Sequence, residues 1–347
     1  MTIINSIFNN RNRTDNKEVE ELVNKLKPFN FKIINVVGTN GKGSVSNYLT
    51  TNLMTKYKVG TFTSPHIFKA NERIKVNNVS IPTKKLEVLI SKYKDLHFFA
   101  IMYLCALEHF KEQGCEVVIL EAGVGGKYDT TNTLSGDVGV ITSIGLDHME
   151  LLGSTEREIL KDKIGIINKG MNFYFGTELL EFNELIEEKV TKMKAKHFVV
   201  VNQFNDYKSR NKALAKEILK NEFNILKPIF VDPIGRTTIQ EINNSKAIID
   251  VAHNKAGIAA TLELLKKDSV YFEQVVITMS KRKDWKDLKK LFLNKKIFAY
   301  QLKDDFISAQ DLGVEEVDDL RVFYKKQNKN TLYIGSFYSV GEILDVK

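Results

Sequence analysis

Residues 35–44 read NVVGTNGKGS, and this glycine-rich stretch decides the fold. It completes the apolar run KIINVV (32–37) and leads into SVSNYLTTNLMTKY (44–57), whose apolar spacing predicts a helix. A tight glycine turn between a strand and a helix leaves backbone N–H groups pointing into one concavity, where the helix dipole also favours an anion. The stretch therefore predicts a phosphate-binding loop.

Two side chains of this loop have the chemistry that bound triphosphate requires. Lys42 would reach the terminal phosphates, and the Ser44 hydroxyl would reach a magnesium ion. The spacing is shorter than the common GxxxxGK[ST] form, because only two residues separate Gly38 from Gly41. A glycine-rich helix start without a ligand is the alternative, and the strand–loop–helix context favours the phosphate loop.

The alternation of strands and helices continues after the loop. Further strands are predicted at 58–63, 116–122 and 138–144, and a helix at 98–114 separates the first two of them. Helices are also predicted at 155–169 and 210–221, whereas residues 170–200 are mixed and lysine-rich. Strands separated by helices indicate a parallel sheet covered on both faces.

A domain boundary is predicted near residue 228, in a stretch that holds two of the five prolines. A strand (246–252), a helix (257–267) and another strand (272–279) follow it. The expected fold is α/β: a P-loop mononucleotide-binding parallel-sheet domain, followed by a smaller α/β, Rossmann-like domain. We expect residues 1–228 to form the first of these domains and residues 229–347 the second.

Acidic and imidazole side chains follow two of the predicted strands. Glu121 follows the apolar run of EVVILEAGVGG (116–126), and Asp147 and His148 follow the strand of VGVITSIGLDHMELLG (138–153). Ligands of open α/β sheets bind at the carboxyl edge, where these strands would deliver the side chains. A carboxylate beside bound triphosphate requires a cation, so Glu121 is a candidate magnesium ligand.

Composition limits the other classes of function. The net charge of +8 raises the possibility of a nucleic-acid surface, but lysines and acids are interleaved, as in residues 184–196. The chain has no tandem-acid pattern typical of a phosphotransferase or NTPase switch. Its two cysteines, Cys105 and Cys115, lie in or beside apolar stretches, which indicates structural thiols in a reducing compartment. We expect a cytoplasmic monomer that binds neither nucleic acid nor membranes.

Several ordered motifs, taken together, carry a family resemblance. The chain resembles folylpolyglutamate synthase and dihydrofolate synthase, of the Mur ligase superfamily, over nearly its whole length. The motifs are GTNGKGS (38–44), TFTSPHIFKANERIKVN (61–77), ILEAGVGGKYDTTN (119–132), ITSIGLDHMELLG (141–153), DKIGII (162–167), GR (235–236), DVAHN (250–254) and IGSFYSVGEI (334–343).

The resemblance implies a set of site residues, by position in this sequence. The residues that would bind ATP are Asn40, Gly41, Lys42, Gly43, Ser44, Asn211, Arg236 and Asp250. The residues that would hold Mg²⁺ are Ser64, Glu121 and His148. Those that would meet the other substrates are His253, near the glutamate, with Lys127 and Asp129. Those that would act in catalysis are Lys42, Lys163, His148 and Arg236, with Lys163 matching a lysine that the family carries as its carbamate.

The resemblance implies that residues 1–228 are the ATP-binding domain and residues 229–347 the glutamate-ligase domain. The reaction that it implies is an ATP-dependent ligation of L-glutamate to the γ-carboxylate of a reduced folate through an acyl phosphate, in a cleft between the two domains. A need for a monovalent cation stays open. Ala100 and Tyr103 depart from the family pattern, and Lys127 stands where arginine is usual. These departures concern the acceptor pocket, so the alternative is a dihydrofolate synthase, or a bifunctional enzyme that acts on dihydropteroate.

Overall fold

The computed structural model describes residues 4, 7, 15–201, 206–283 and 285–345 of the chain. The chain divides into two compact units, residues 1–232 and residues 233–347. Each unit holds its own mostly parallel sheet with helices between the strands, so the predicted α/β fold class is confirmed.

The sheet of the N-terminal unit has eight described strands. They are β1 (Lys32–Val37), β2 (Val59–Phe62), β3 (Ile74–Val76), β4 (Val79–Ser80), β5 (Val117–Glu121), β6 (Val138–Ile141), β7 (Asn172–Gly176) and β8 (Lys196–Val200). Their spatial order is β4-β3-β2-β5-β1-β6-β7-β8. All neighbouring pairs are parallel except β2 with β3 and β3 with β4, so the carboxyl ends of β1, β2, β5 and β6 share one edge.

The helices of this unit cover both faces of the sheet. They are α1 (Asn16–Leu26), α2 (Lys42–Leu53), α3 (Thr83–Tyr93), α4 (Phe98–Glu112), α5 (Met149–Leu152), α6 (Glu156–Lys163), α7 (Asn183–Met193) and α8 (Tyr207–Phe223). Ile34 of β1 packs in one apolar cluster with residues of α2 and α8, whereas Ile33 packs in another with residues of α3 and α4. Burying an aliphatic side chain of this size contributes about 1.5–3 kcal/mol, so central β1 is held from both sides.

The helix predicted at 155–169 is shorter than expected. α6 ends at Lys163 and continues as one 3-10 turn, Ile164–Ile166. Gly165 in this turn packs against Lys127, leaving no room for a side chain of its own. The early helix end places Lys163 at the end of α6.

The C-terminal unit has a six-stranded sheet. Its strands are β9 (Thr238–Ile242), β10 (Ser245–Asp250), β11 (Gln274–Ile277), β12 (Lys296–Ala299), β13 (Glu315–Glu316) and β14 (Thr331–Ile334), in the order β13-β12-β11-β14-β10-β9. Only β9 at one edge is antiparallel to its neighbour. Its helices are α9 (Lys255–Lys267), α10 (Ala309–Leu312), α11 (Leu320–Lys326) and α12 (Phe337–Leu344).

Both cysteines are free thiols inside the N-terminal unit, Cys105 on α4 and Cys115 just before β5. Burial raises the pKa of the Cys105 thiol above its usual range and that of Cys115 to about 11. Across the described ranges, every helix is too short or too polar to cross a membrane.

Candidate active site

The turn between β1 and α2 has the backbone of an anion-binding loop. Gly41 caps α2 with a φ of 89°, and Gly38 has a φ of 149°, both in the region that favours glycine. A Cβ on Gly38 would overlap the Thr142 hydroxyl, and a Cβ on Gly41 would lie 2.6 Å from Asn211 Oδ1. Close packing on both sides therefore excludes side chains at the two positions.

Two hydroxyls from the end of β6 hold the loop in place. Ser143 Oγ accepts from the Asn40 N–H at 2.9 Å and donates to the Asn40 carbonyl at 2.9 Å. Thr142 Oγ1 donates to the same carbonyl at 2.6 Å. We call these contacts of Thr142 and Ser143 with Asn40 the clamp. The clamp was not predicted from the sequence, although two polar residues directly after an apolar strand could have indicated it.

Two lysine side chains converge on the carbonyl of Gly38. Lys42 Nζ donates to Gly38 O at 2.9 Å, and Lys163 Nζ donates to the same oxygen at 3.2 Å. Lys163 is 3% exposed, and its burial, with the neighbouring Lys42 charge second, lowers the pKa of Lys163 to about 7. A large fraction of this amine is therefore neutral near neutral pH.

Glu121 links the phosphate loop to the loop after β2. Its carboxylate is 3% exposed, and Oε2 accepts from the Ser64 N–H at 3.1 Å. The same carboxylate faces Gly43, because a Cβ there would lie 3.7 Å from Glu121 Oε2. Ser64, Glu121 and Gly43 are thus brought together, and Ser44, the residue after Gly43, is buried in the first turn of α2.

His148 lies beside two acidic side chains. It begins α5 with a φ of 51°, and its imidazole nitrogens lie 4.0 Å from Asp147 Oδ1 and 3.8 Å from Glu150 Oε1. Within the part of the chain that the structure describes, no group of three or more histidine, cysteine, aspartate or glutamate side chains is arranged to hold a metal. The predicted metal role of His148 stays a prediction.

Asn211 on α8 is a buried polar residue that packs on the phosphate loop. It is 1% exposed, its amide packs on Gly41, and its Oδ1 has no hydrogen-bond partner within the described residues. Buried polar atoms in native proteins are normally paired, so an orphaned amide oxygen needs an explanation. A bound group with an N–H donor, such as an amino-substituted nucleobase, would satisfy it.

The GVGGKYD loop is organised by Asp129. Its buried carboxylate accepts from the N–H groups of Gly123, Val124 and Thr131 at 2.9 Å each, and from the Thr131 hydroxyl. Burial raises the pKa of Asp129, while these hydrogen bonds oppose the shift. Lys127 is exposed, with Nζ 4.6 Å from the Tyr128 ring centroid. The contacts of Asp129 are those of a loop scaffold, and a substrate role for either residue stays a prediction.

A buried arginine holds His66 of the TSPH motif. Arg73 Nε donates to His66 Nδ1 at 3.0 Å, and the Arg73 guanidinium lies 5.0 Å from the Phe98 ring centroid. Burial, with the Arg73 charge second, lowers the pKa of His66 to about 4, so this histidine is neutral. The arginine was missed from sequence because it lies seven residues after His66, in a motif that suggested no separate role.

In the C-terminal unit, Arg236 and Asp250 come from two interlocked segments. Asp250 Oδ2 accepts from the Thr237 N–H, and Oδ1 accepts from the Ala252 N–H, both at 2.8 Å. The Val251 N–H donates to Gly235 O at 2.9 Å, which joins the GR and DVAHN motifs. His253 follows at the carboxyl end of β10. Their predicted roles toward nucleotide and glutamate stay predictions.

A family model, the Mur ligase middle domain, matches residues 36–227 of the chain. Among curated relatives, the dihydrofolate synthase/folylpolyglutamate synthase of Bacillus subtilis is 41% identical over 155 residues, which are 40% of this chain and 36% of that protein. The folylpolyglutamate synthase of Lacticaseibacillus casei is 34% identical over 173 residues, 46% of this chain and 40% of that protein. The chain spans less than half the length of the curated relatives it matches.

Solved structures share the whole fold at lower identity. The Escherichia coli FolC structure in complex with DHPP and ADP has a TM-score of 0.82 and 24% identity, covering 99% of this chain and 96% of that one. The bifunctional folylpolyglutamate synthase/dihydrofolate synthase of Yersinia pestis, complexed with AMPPNP and Mn ion, has a TM-score of 0.79 and 23% identity, covering 95% of this chain and 92% of that one. At these identities the likeness is one of fold.

Proposed function

Because the chain belongs to the Mur ligase family, we propose that it is an ATP-dependent ligase that joins L-glutamate to the γ-carboxylate of a reduced folate through an acyl phosphate. The names of the curated relatives support this reaction class. The proposal includes the two roles predicted from sequence, an ATP-binding unit followed by a smaller ligase unit.

The single observation that carries the proposal is the carboxylate of Glu121 between the phosphate loop and Ser64. Burying an unprotonated carboxylate is costly unless cations or hydrogen-bond donors compensate it. Glu121 lies beside the glycine of the phosphate loop and accepts from the Ser64 N–H. This arrangement suits a site where an acid and polyphosphate share a divalent cation.

The donor set fits magnesium. Mg²⁺ takes oxygen ligands and commonly uses one or two carboxylates together with phosphate oxygens and water. Glu121 would supply the carboxylate, and the hydroxyls of Ser64 and Ser44 are the other candidate oxygens of the chain. When bound, the ion would neutralise charge on the phosphates during transfer.

The chain's own residues would position and polarise the γ-phosphoryl group. Phosphoryl transfer depends mainly on positioning and charge stabilisation rather than on covalent chemistry by the protein. Loop N–H groups between Gly38 and Ser44 would hold phosphate oxygens, and Lys42 would move from the carbonyls of its own loop to the phosphates. Arg236 is proposed to add a second cation. Transfer of the γ-phosphoryl group to the γ-carboxylate of the folate would release ADP and leave the acyl phosphate. The glutamate amine would then attack its carbonyl carbon, and loss of phosphate and of a proton from the nitrogen gives the amide.

Lys163 is proposed to carry a carbamate. Only a neutral amine reacts with carbon dioxide, and the lowered pKa of about 7 supplies that form. An anionic carbamate at this position would also offset the positive charge of Lys42, which shares the Gly38 carbonyl with it.

Choice of acceptor depends on the helix where the chain departs from the family pattern. Ala100 and Tyr103 of α4 are fully buried; the Tyr103 ring packs 5.9 Å from that of Phe62, and its hydroxyl accepts from Thr133 Oγ1 at 3.4 Å. A free pteroate carboxylate would need its own pocket at this helix, so a filled core there favours a folate, whose reacting group is the γ-carboxylate. The relatives with both activities favour the second candidate, a dihydrofolate synthase or bifunctional enzyme.

The deciding experiment is ADP release by the purified protein with Mg·ATP and L-glutamate, comparing a reduced folate monoglutamate with dihydropteroate as acceptor. We expect turnover with the folate. Turnover with dihydropteroate alone, or with both, would establish the second candidate, and no turnover with either would contradict the proposal.

Variants test the same reaction at the residue level. Lys42→Ala and Glu121→Ala should abolish ADP formation, because they remove a phosphate ligand and the metal carboxylate. Lys56→Ala and Glu112→Ala are matched controls on exposed side chains and should keep full activity. Near-normal turnover in Lys42→Ala or Glu121→Ala would rule out the assignment.

A further inference from the structure

An aromatic ring in the C-terminal unit contacts two of the residues that were predicted as functional. The guanidinium carbon of Arg236 lies 5.4 Å from the ring centroid of Phe337. The imidazole of His253 lies 5.6 Å from the same centroid, with the two ring planes inclined at 58°. Phe337 was part of a motif in the sequence, but no role was predicted for it.

The chain fixes the position of this ring through its backbone. Phe337 begins α12 directly after β14, and the N-cap Ser336 accepts from the Tyr338 N–H at 3.1 Å. Gly335 has a φ of 115° and packs so closely on the Thr278 carbonyl that a Cβ would overlap it. Because β14 pairs with β10, the turn after β14 brings Phe337 next to the DVAHN segment.

The contact with Phe337 does not use the hydrogen-bond donors of Arg236. A guanidinium that rests on an aromatic face keeps its in-plane N–H groups for an anion. The His253 Nδ1 lies 3.0 Å from Val251 O, and since a carbonyl only accepts, Nδ1 donates, which orients the imidazole. All three side chains are partly exposed.

We propose that Phe337 is a positioning residue that holds the Arg236 guanidinium and the His253 imidazole at a fixed spacing for two anionic substrates. The inference rests on the proposed function, in which Arg236 meets the phosphates and His253 meets the glutamate. Loss of the ring then impairs use of ATP and of glutamate together, although Phe337 itself touches neither.

The test compares three variants in steady-state kinetics. Phe337→Leu removes the ring, Phe337→Tyr keeps it, and Phe323→Leu removes a partly exposed ring of the same unit that packs 5.0 Å from Phe298 instead. We expect Phe337→Leu to lower kcat/KM for both ATP and glutamate by about tenfold, as loss of two ring contacts implies, with Phe337→Tyr and Phe323→Leu near the wild type.

Three kinetic results would overturn the proposal: unchanged kcat/KM in Phe337→Leu, equal losses of kcat/KM in Phe337→Leu and Phe323→Leu, or a kcat/KM in Phe337→Tyr as low as in Phe337→Leu. A crystal structure of Phe337→Leu gives a readout that does not depend on turnover. Displaced Arg236 and His253 side chains on an unchanged backbone support the proposal, and unmoved side chains overturn it. If the wild type shows no turnover with any acceptor, the proposed function fails, and the crystal structure alone decides whether Phe337 positions its neighbours.

Discussion

At the scale of single residues, the site is defined by groups that are buried at an energetic cost. Lys163 is an amine enclosed in the protein beside a second lysine. Burial of such a group destabilises the folded state unless the amine loses its proton. A side chain that contacts the phosphate loop therefore has a charge state that depends on pH near neutrality.

The stability of the protein should rise with pH because of Lys163. The folded-state pKa of about 7 lies below the ordinary lysine pKa of 10.5, so between these values the unfolded chain binds more protons than the folded one. We expect the free energy of unfolding of Lys163→Met to be higher than that of the wild type. The difference should be largest at pH 7 and below, and it should become smaller as the pH rises toward 10. The measurement is denaturant unfolding at several pH values in buffer free of carbon dioxide.

Lys161→Met, an exposed lysine on the same helix, is the control and should show no such trend. A difference that does not change with pH would contradict the burial of a titrating amine at Lys163. Added bicarbonate should stabilise the wild type but not Lys163→Met if the carbamate forms.

The clamp of Thr142 and Ser143 on Asn40 gives a second prediction. Ser143→Ala removes both hydrogen bonds between its hydroxyl and the Asn40 backbone. Each such bond contributes about 0.5–1.5 kcal/mol, so we expect KM for ATP to rise about tenfold. Ser91→Ala on α3, whose hydroxyl donates within its own helix, should leave KM unchanged. Equal KM values in Ser143→Ala and the wild type would show that the clamp does not hold the loop.

At the scale of elements, α8 joins the phosphate loop to the end of the N-terminal unit. Its buried face carries Asn211 against Gly41, while Lys208 Nζ forms an ion pair with Asp232 Oδ2 at 2.8 Å. Burial alone would raise the pKa of Asp232, but the hydrogen bonds from Lys208 and Tyr48 outweigh it and lower the pKa. One helix thus contacts both the glycines that would hold a nucleotide and the last residue before the second unit.

We expect Asn211→Ala to weaken ADP binding about tenfold, because the orphaned Oδ1 is the proposed partner of the adenine amino group. GDP lacks an amino group at the corresponding ring position. We therefore expect GDP to bind the wild type more weakly than ADP does, and its affinity to change less in Asn211→Ala. Calorimetric titration with ADP and GDP makes the comparison, and Lys216→Ala on the exposed face of α8 is the control. An equal loss for both nucleotides would contradict base recognition by Asn211.

The elements also show what the sequence could and could not predict. The phosphate loop, β5 and β6 were predicted because apolar runs end there at glycine or charged residues. β7 and β8 lie in the mixed, lysine-rich stretch 170–200, for which no strand was predicted. Exposed positions weaken the apolar pattern of the edge strand β8, whereas β7 is buried and its short aromatic run, residues 173–175, was missed. Contacts such as Ser143 with Asn40, or Arg73 with His66, depend on strand order and loop geometry, which no spacing along the chain encodes.

At the scale of the whole molecule, the two units have separate sheets and separate apolar cores. Phe110 belongs to a cluster of the N-terminal unit and Phe292 to one of the C-terminal unit, and both rings are at most 2% exposed. Truncating a buried phenylalanine to alanine costs about 3–5 kcal/mol. Each substitution therefore acts as a local perturbation of one unit.

We expect two transitions in scanning calorimetry, because each unit has its own core. Phe110→Ala should lower the melting temperature of one transition, and Phe292→Ala that of the other. A single transition that both variants lower to the same extent would show that the chain unfolds as one cooperative body.

The two buried thiols have a practical consequence at this scale. Both cysteines of the chain belong to the N-terminal unit, and a thiol reacts with alkylating reagents only as an exposed thiolate. The rate of labelling therefore measures how often the N-terminal unit opens, and it does not respond to opening of the C-terminal unit. The native cysteines can therefore report the opening rate of the unit that would bind the nucleotide, without the introduction of a new labelling site.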